Sequence, residues 1–574
     1  MNYFGVYHAD YSRSNGGICD APCISKGRMM LCAKDIASEG SLIAMAEGRM
    51  RNREQLTGEL NCPAATSAAR VVLRAYQKWG DDYPSHVEGP VTTCVMDAEA
   101  DRMVISRDRM GEKMIFYTWR GDSAAFADHP DSLLKTASAE SIMDVDGMRE
   151  MFGLGPARTP GRTFLRDIQA IEPGCALILK GDCLRIDRYY RIEDHPHVES
   201  EGITIEHTRA LLEQAIDDVI GLQPAVMLSG GLDSTALTAL IAARNGRIQS
   251  FSVDYQDNAV DFVPNAFRPE MDSPFIEMAV RAFHTQHRTI VLDQQSLARA
   301  LGRAVSLRGF PGMADIDSSL LLFAGQIARY AQNVVSGECG DEVFGGYPWF
   351  RGEAPLMDGV FPWSGSLELR ESLLIPEVRE KLKLQEYVRD IFSDHLNAAQ
   401  PKHDCSPKER RLKIMQKLCF EFFMTNLQER AVRMCEGAGV RVLTPLCDER
   451  LVEYVYNVPW DMKFMEGQEK GLFRAAVRDL LPERLLRRKK SPYPKTCSPV
   501  YTEMIRKMTM NMVSDAGAPI FEWVDRDRVR AIAQSDLNPV ETPWYGQLMA
   551  GPQMLGYLWQ INRWLVERNV TVLL

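Results

Sequence analysis

The sequence lacks several features that would place it in common classes of protein. No run of about eighteen apolar residues occurs, so a membrane span is not expected. The opening residues do not resemble a signal peptide. There is no sustained basic stripe, and the net charge of −10 disfavours a nucleic-acid partner. The 13 cysteines contain no CxxC pair and no zinc-ligand spacing, so we expect reduced thiols and a cytoplasmic location.

The residues that are present indicate a large globular chain with two regions of different pattern. A length of 574 residues, 45% of them apolar, predicts two or three domains with real cores. Residues 1–195 carry short apolar runs typical of strands. From Ala225 onward strands and helices alternate, which predicts a parallel sheet with its ligand at the carboxyl ends of the strands. Beyond Ala354 the apolar spacing is helical.

A glycine-rich stretch in the second region carries the clearest chemical signal. The apolar run Ala225–Leu228 breaks into Ser229-Gly230-Gly231, and a helical pattern follows at once. Two glycines allow a tight turn that gathers N–H groups into an anion-binding nest, and the following helix adds its positive dipole end. Ser234 adds a hydroxyl, and Asp233 could hold Mg²⁺. The alternative is a capped strand-to-helix turn that binds nothing.

An acidic stretch lies at the end of another predicted strand. Asn333–Ser336 leads into Glu338, Asp341 and Glu342, which are interspersed with glycines. Acids also occur at solvated helix starts, where the helix dipole favours them. As site residues, Asp341 could meet Asp233 across a magnesium ion, and Glu338 could accept a proton from an amine nucleophile.

Four consecutive cations, Arg487 to Lys490, precede a Ser-Pro-Tyr-Pro stretch. Such a run is often a solvated face or the end of a helix before proline. Beside an ATP site, one of these cations would instead neutralise the charge that develops on a leaving pyrophosphate. The composition alone leaves both interpretations open.

Together these motifs resemble the asparagine synthetase family over nearly the whole chain. Gly312–Ser319, Tyr347–Phe350 and Arg488–Thr496 are similar to a bacterial branch of it. The resemblance implies an α/β protein with an N-terminal Ntn-hydrolase-like β-rich sandwich (αββα) over residues 1–195. A C-terminal ATP-pyrophosphatase-type parallel sheet with helical additions is implied for residues 205–574.

The resemblance also implies an enzyme that uses ATP and Mg²⁺ to adenylate a carboxylate, which an amine or ammonia then attacks. It implies magnesium binding by Asp233 and Asp341, assistance of amine attack by Glu338, and stabilisation of the adenylation transition state by Lys490. The implied nucleotide-binding residues are Leu228, Ser229, Gly230, Gly231, Asp233, Ser234, Val253, Ser336 and Gly337. The sequence leaves the oligomeric state open, with a homodimer as one alternative.

The N-terminal region is similar to the family's glutaminase domain, but the residues that its chemistry needs are missing. The family's nucleophile is a cysteine after Met1, and here the residue is Asn2. Its oxyanion-binding asparagine aligns with Glu47, whose negative charge would repel a forming oxyanion. Its glutamine-binding acid falls within Ser67–Arg70, which contains no acid. We expect that glutamine hydrolysis has been lost.

The resemblance also breaks at the acceptor pocket, where the family's acid, glutamate and arginine align with Val432, Arg441 and Leu443. This change disfavours aspartate as the acceptor. Family members without a working glutaminase include β-lactam synthetases and lasso-peptide cyclases. A peptide macrolactam cyclase and an ammonia-dependent asparagine synthetase therefore remain alternatives. A third alternative, from a different class, is a non-catalytic ATP-binding regulatory relative.

Overall fold

The computed structural model describes residues 2–8, 21–136, 138–262, 264, 270–351, 359–365, 367–537 and 543–574. The chain divides into two compact units. The first comprises Met1–Glu150, Arg158–Ile192 and Arg568–Leu574, and the second Met151–Ala157 and Glu193–Glu567. Within the described ranges, no helix has the length and apolar character needed to cross a membrane.

The first unit is built mainly of strands. Its strands up to residue 192 are β1 (Tyr3–Tyr7), β2 (Cys23–Lys26), β3 (Met29–Ala33), β4 (Ile36–Glu39), β5 (Leu42–Gly48), β6 (Val91–Asp97), β7 (Arg102–Ser106), β8 (Phe116–Arg120), β9 (Ser123–Ala127), β10 (Ile142–Met143), β11 (Gln169–Ala170), β12 (Cys175–Lys180) and β13 (Cys183–Arg188). Its helices are α1 (Arg53–Glu59), α2 (Ala68–Trp79), α3 (Pro130–Lys135) and α4 (Val145–Arg149).

Two antiparallel sheets in this unit face each other, one in the order β11-β8-β9-β1-β3-β2 and the other β13-β12-β7-β6-β5-β4. Alternation along β5 shows why the second sheet is covered on both faces. Ile43 and Met45 join the core between the two sheets. Leu42 and Ala44 face the other way, into a core that contains Val72 of α2. The predicted β-rich sandwich with helical cover is confirmed.

A disulfide joins Cys23 of β2 to Cys32 of β3, so the prediction of uniformly reduced thiols is wrong for this pair. The two residues are direct partners in the antiparallel ladder, and their Cα atoms lie 4.0 Å apart. Directly opposite residues in such a ladder bring their side chains together on one face. The spacing of the cysteines in the sequence does not reveal which residues of β2 and β3 lie opposite each other.

The second unit is built around a parallel sheet covered by helices. Its strands are β14 (Ala225–Met227), β15 (Gln249–Tyr255), β16 (Gln286–Leu292), β17 (Asn333–Val335) and β18 (Arg441–Leu443). Its helices are α5 (Glu201–Ile220), α6 (Leu232–Asn245), α7 (Asn258–Asp261), α8 (Ser273–Phe283), α9 (Gln294–Arg308), α10 (Asp315–Ile327), α11 (Gly340–Phe344), α12 (Leu367–Ser372), α13 (Pro376–Leu382), α14 (Leu384–Ala398), α15 (Pro407–Leu418), α16 (Thr425–Gly437), α17 (Glu449–Asn457), α18 (Trp460–Lys463), α19 (Gly471–Ala476), α20 (Glu483–Leu486), α21 (Pro499–Ser514), α22 (Arg526–Gln534) and α23 (Pro552–Glu567). The last strand of the chain, β19 (Thr571–Val572), belongs to the first unit and pairs with β10.

The order of the parallel sheet, β16-β15-β14-β17-β18, explains why two distant motifs meet. The first strand, β14, lies in the centre, and the chain builds outward from it first on one side and then on the other. Such a reversal opens a crevice at the carboxyl ends of the two strands that flank it, here β14 and β17. The glycine-rich loop follows β14 and the acidic stretch follows β17. The predicted parallel sheet with its helical additions is confirmed.

Several helix limits differ from the sequence expectation. The apolar pattern over Trp544–Val566 predicts one helix, but α23 begins only at Pro552, after a turn that contains Gly551 with φ 61°. The pattern over Arg411–Val432 is split by a π-helical segment, Cys419–Met424, between α15 and α16. Helix α2, which Ser67 caps, was not predicted. In each case local turn geometry overrides apolar periodicity.

Candidate active site

The loop between β14 and α6 has the backbone geometry of an anion-binding turn. Gly230 has φ 71°, and a Cβ there would lie 2.9 Å from the Cβ of Phe275 and from Nη1 of Arg488. Gly231 is the N-cap of α6 and provides no side-chain cap. The Ser229 and Ser234 hydroxyls lie 3.0 Å apart across the turn. The start of α6 therefore has no side-chain cap and directs its positive dipole end toward the crevice, which agrees with an anion site, and ligand binding there stays a prediction.

Two carboxylates from the two strand ends converge on one lysine. Lys470 Nζ lies 2.5 Å from an oxygen of Asp233 and 2.6 Å from an oxygen of Asp341. Lys490 Nζ lies 2.5 Å from the other oxygen of Asp341. The cluster thus holds two anions and two cations. The structure brings together Asp233, Asp341 and Lys490, as the sequence predicts.

Small residues make this approach of the carboxylates possible. A Cβ at Gly340 would lie 2.8 Å from Cγ of Asp233, and one at Gly337 would lie 3.1 Å from its Cβ. A Cβ at Gly346 would overlap the carboxylate of Asp341. The glycines of the acidic stretch therefore serve close packing around the two carboxylates as well as the turn itself.

Burial and the lysines set the protonation of the cluster. Burial alone would raise the pKa of Asp341, but Lys470 and Lys490 outweigh it and lower the pKa to about 2. Burial raises the pKa of Asp233, against the opposing effect of Lys470. Asp341 is therefore a permanent anion at neutral pH, which suits a metal ligand and a partner for cations.

The residues present fit a magnesium ion that is shared with phosphate. Mg²⁺ prefers oxygen ligands and is usually held by one or two carboxylates together with substrate phosphates. Asp233 and Asp341 already share one cation, Lys470, so their oxygens point at a common position. No group of three or more metal-binding side chains occurs in the part of the chain that the structure describes. Two carboxylates without a third ligand match a site completed by a nucleotide.

Glu338 lies at the mouth of the crevice, and its side chain is 21% exposed. Burial raises its pKa, and the positive charges of Arg430 and Lys490 only partly oppose this. Arg430 Nη1 approaches its Oε1 to 3.3 Å. A carboxylate with a raised pKa at a cavity wall is suited to accept a proton.

The four consecutive cations differ in exposure, and all but Arg487 line the cavity described below. Arg487 is exposed and pairs with Glu483, and Lys489 is also exposed. Arg488 is buried, pairs with Asp272 and donates to the carbonyl of Ser229 at 3.1 Å. Arg487 thus fits the interpretation as a solvated face, whereas the role of Lys490 beside a pyrophosphate stays a prediction. Arg488 supports the glycine-rich turn, and Lys490 reaches the acids.

A cavity of about 170 Å³ connects these groups. The cavity is lined by predicted nucleotide-binding and catalytic residues, namely Leu228, Ser229, Gly231, Asp233, Ser234, Val253, Ser336, Gly337, Glu338, Asp341 and Lys490. Gly230 is not among the lining residues, because its open face packs on Phe275. Lys470, Arg474 and Tyr493 also line the cavity, and sequence reasoning did not identify them.

Lys470 is the most important of the missed residues. It has φ 57° and precedes α19, in the stretch Gln468–Gly471. An unusual backbone conformation of this kind is common at functional sites, but the sequence does not reveal it. Only the fold brings Lys470 to the carboxyl ends of β14 and β17.

The residues aligned with the family's acceptor pocket do not reach the cavity. Of its described lining residues, none is Val432, Arg441 or Leu443. Val432 packs in the core beside the sheet, and Arg441 is exposed. Neighbouring residues line the cavity instead. Ala431, Cys435 and Val442 form an apolar surface of the cavity together with Leu320 and Phe323.

In the first unit, the aligned glutaminase positions make structural contacts. The backbone N–H of Asn2 donates to Asp128 at 2.8 Å at the start of β1. Glu47 lies near the end of β5, beside Gly48 with φ 123°. Ser67 caps α2, and Arg70 pairs with Glu39 at 2.8 Å.

A crevice with a phosphate-type turn, paired carboxylates and lysines, in a chain that also has a separate β-sandwich unit, defines an ATP-dependent ligase. Comparison with known proteins agrees. The asparagine synthase family model matches residues 207–565, and the glutamine amidotransferase domain model matches residues 36–190.

Among relatives, asparagine synthetase [glutamine-hydrolyzing] 3 of Bacillus subtilis is 36% identical, over 100% of this chain and 94% of that protein. A putative asparagine synthetase [glutamine-hydrolyzing] 2 of Methanocaldococcus jannaschii is 24% identical, over 54% of this chain and 60% of its own length. Asparagine synthetase [glutamine-hydrolyzing] 1 of Bacillus subtilis is 22% identical, over 78% and 74% respectively. The chain belongs to the asparagine synthase family.

Proposed function

We propose that the protein is an AMP-forming amide ligase that takes its nitrogen directly from an amine or ammonia. The observation that carries this proposal is the convergence of Asp233 and Asp341 on Lys470, with Lys490 on the same carboxylate. Two acids and two lysines beside a glycine-rich turn suit the triphosphate of ATP and its magnesium. The second region, residues 205–574, would be the synthetase domain.

In the first half-reaction, a substrate carboxylate oxygen attacks the α-phosphorus of ATP. An acyl adenylate forms as the bond to pyrophosphate breaks. Ser229, Gly231 and Ser234 would bind the pyrophosphate, and Leu228, Val253, Ser336 and Gly337 would surround the adenosine. Magnesium, when bound by Asp233 and Asp341, would neutralise phosphate charge.

The two lysines would exchange their aspartate partners for phosphate as ATP enters. Lys490, which is partly exposed, would stabilise charge on the transition state and on the leaving pyrophosphate. Lys470, 3% exposed, would hold its position between the acids and the phosphates. Both ammonium groups pair with the acids that would hold magnesium, so each would move only a short way to reach a phosphate.

In the second half-reaction, an amine attacks the acyl carbon, and AMP leaves with the electrons of the carbon–oxygen bond. The amine loses a proton as it attacks, and Glu338 would take it. The raised pKa of Glu338 matches that task, since a base is most effective when its pKa lies near the working pH.

Residues 1–195 would be a glutaminase-like domain that no longer hydrolyses glutamine. Asn2 has a carboxamide in place of the thiol that forms a thioester. Glu47 places an acid where an oxyanion must be stabilised, and Ser67–Arg70 caps a helix where the glutamine-binding acid is expected. The relatives are named as glutamine-hydrolysing, so this loss would separate the chain from them.

The acceptor is proposed to differ from aspartate. Apolar side chains of Leu320, Phe323, Ala431, Cys435 and Val442 line the cavity where a charged amino-acid head would need partners. An acid with an apolar body, including the carboxylate of a peptide that closes a ring, fits this wall better. Ammonia-dependent asparagine synthesis is the competing outcome. A homodimer and a cytoplasmic location also remain predictions.

The test is pyrophosphate release by the purified full chain with ATP and Mg²⁺. The panel of acids contains L-aspartate, aliphatic and aromatic acids and a short peptide, each with ammonium or hydroxylamine as the amine. We expect pyrophosphate and AMP in equal amounts with at least one acid. ATP binding without turnover for every acid would contradict the proposal and support a non-catalytic, regulatory relative.

A further inference from the structure

A chain of four buried or half-buried charges extends from the cavity into the second unit. Arg430 Nη1 lies 3.3 Å from Oε1 of Glu338, and Arg430 Nε lies 3.3 Å from Oδ1 of Asp317. Arg308 Nη1 donates to the other oxygen of Asp317 at 3.1 Å. The charges therefore alternate from Glu338 through Arg430 and Asp317 to Arg308.

The inner end of this chain also has hydrogen bonds that do not involve Arg430. The side chains of Arg308 and Asp317 are 0% and 1% exposed. Asp317 Oδ2 also accepts the backbone N–H of Met313 at 2.9 Å, and Arg308 Nη2 contacts Asn426. Arg308 on α9 and Asp317 on α10 thus form a fixed anchor.

Arg430 connects this anchor to the cavity. Its side chain is 2% exposed, and Nη2 donates to the carbonyl of Ile316 at 3.0 Å. A guanidinium presents its donors in a rigid plane, so the hydrogen bond of Nη2 and the ion pair of Nε with Asp317 together direct the third nitrogen. That third nitrogen, Nη1, reaches Glu338 on a loop 92 residues away in sequence.

The contact with Arg430 holds only one of the two carboxylate oxygens of Glu338. Oε1 faces Arg430, whereas Oε2 has no partner among the side chains and backbone groups that the structure describes. Glu338 itself lines the cavity. One oxygen is therefore held and the other is available, which is the arrangement that a directed proton acceptor requires.

Arg430 also contacts the segment that carries Lys490. Its guanidinium carbon lies 4.7 Å from the ring centroid of Tyr493. The Tyr493 hydroxyl lies 3.1 Å from the hydroxyl of Ser319, which in turn lies 2.7 Å from that of Tyr255. This second support of Tyr493 means that the position of Lys490 does not depend on Arg430 alone.

We propose that Arg430 is a positioning residue that orients the carboxylate of Glu338 toward the incoming amine. The proposal rests on the proposed function, because it assigns Arg430 to the amine-attack step of that reaction. The proposal predicts that loss of Arg430 slows amine attack and not adenylation, since adenylation uses Lys470 and Lys490 and does not need an oriented Glu338. A purely structural Arg430 would affect both half-reactions alike.

The experiment compares Arg430→Met and Arg430→Lys with the unmodified full chain. Adenylation is followed as acid-dependent exchange of labelled pyrophosphate into ATP, with every acid of the panel. Amine attack is followed as hydroxamate formation from hydroxylamine. The matched control is Lys413→Met, which removes a buried cation that pairs with Asp194 at 2.8 Å, away from the cavity lining. Thermal unfolding of each variant checks its folding.

We expect Arg430→Met to lower the rate of hydroxamate formation by about a hundredfold, within the range of a general base. Pyrophosphate exchange should stay within about threefold of the unmodified chain, since the phosphate-binding residues are untouched. Arg430→Lys should recover part of the lost rate, because it keeps the charge without the planar fork. Lys413→Met should change neither rate.

Two results would overturn the proposal. Equal losses in both half-reactions, or no loss in either, would show that Arg430 does not act through Glu338. Should Arg430→Met fail to fold, the same comparison is made with Arg430→Lys, for which we expect a smaller selective loss. Absence of exchange in the unmodified chain with every acid would instead refute the proposed function, so the two failures are distinguishable.

Discussion

Two places in the molecule hold the residues on which the two halves of the family's chemistry would depend. One is the start of β1 in the first unit, and the other is the carboxyl ends of β14 and β17 in the second unit. At β1 and β5, Asn2 contributes a backbone hydrogen bond and Glu47 an acid beside a turn. At β14 and β17, Asp233 and Asp341 share lysines in a neutral cluster. Under the proposed function, the first unit would keep its fold without its chemistry, whereas the charged groups of the second unit converge on one site.

The largest effect should come from Asp341→Asn. This change removes a permanent anion from between Lys470 and Lys490 and takes away a proposed magnesium ligand. We expect pyrophosphate exchange to fall by about a thousandfold, which corresponds to several kcal/mol of lost charge stabilisation. The control Asp479→Asn alters an exposed acid of the same unit, 74% exposed, and should leave exchange unchanged. Pyrophosphate exchange at the unmodified rate in Asp341→Asn would contradict the difference that we propose between the two units.

A somewhat smaller effect is expected for Lys470→Met. The substitution removes the cation shared by the two acids and leaves Lys490 in place. We expect adenylation to slow by about a hundredfold, the loss typical of one preorganised charge partner. Arg487→Gln removes an exposed cation that pairs with Glu483, and it serves as the control. Adenylation by Lys470→Met at the unmodified rate would mean that Lys470 only occupies the position of the magnesium ion and takes no part in adenylation.

Stability should respond to pH through Glu342, which accepts the hydroxyl of Tyr347 at 2.7 Å. Burial raises its pKa to about 8, so the folded state favours the protonated form. The resulting penalty is absent near pH 4 and accumulates as pH rises toward 8.

Glu342→Gln keeps the acceptor oxygen and cannot ionise. We expect equal free energies of unfolding for Glu342→Gln and the unmodified chain at pH 4. At pH 8 the variant should be more stable by up to about 5 kcal/mol, since the pKa rises from 4.5 to about 8 and one unit corresponds to about 1.4 kcal/mol. Chemical denaturation at the two pH values measures this difference, with the exposed Glu522→Gln as the control. Identical pH dependence in both proteins would refute the assignment.

The smallest effect is expected at Asn2. Asn2→Ala should leave ammonium-dependent product formation within about twofold, because its contact with Asp128 comes from the backbone N–H. Asn2→Cys should not restore glutamine hydrolysis, because the proposal places the acid Glu47 at the oxyanion position, where it would repel the forming charge. Glutamate release by Asn2→Cys alone would show that the remaining residues of the first unit are still competent.

Much of the second unit could be predicted from its sequence, because β14, α6 and β17 follow local patterns of apolar runs and glycines. Asp233, Glu338 and Asp341 were predicted to meet because parallel strands end at one edge of the sheet. Lys470 could not be found this way, since it comes to that edge only through the packing of α19. The apolar surface of the cavity could not be predicted either, because the family resemblance points to Val432, whereas its neighbour Ala431 lines the cavity.

In the first unit, short apolar runs such as that of β5 predicted strands, and the family resemblance implied the αββα sandwich. The pairing of Cys23 with Cys32 could not be predicted, because it depends on the register between β2 and β3. Register is set by pairing partners and turns, and the cysteine spacing in the sequence contains neither.

The central claim is that the second unit retains its chemistry while the first has lost its own, and one measurement tests both parts. The purified full chain is given ATP, Mg²⁺, ammonium, glutamine and the panel of acids, and AMP and glutamate are quantified in the same samples. We predict that AMP accumulates with at least one acid while glutamate stays at the level of buffer. Glutamate release in proportion to the protein, or no AMP with any acid, would contradict the account.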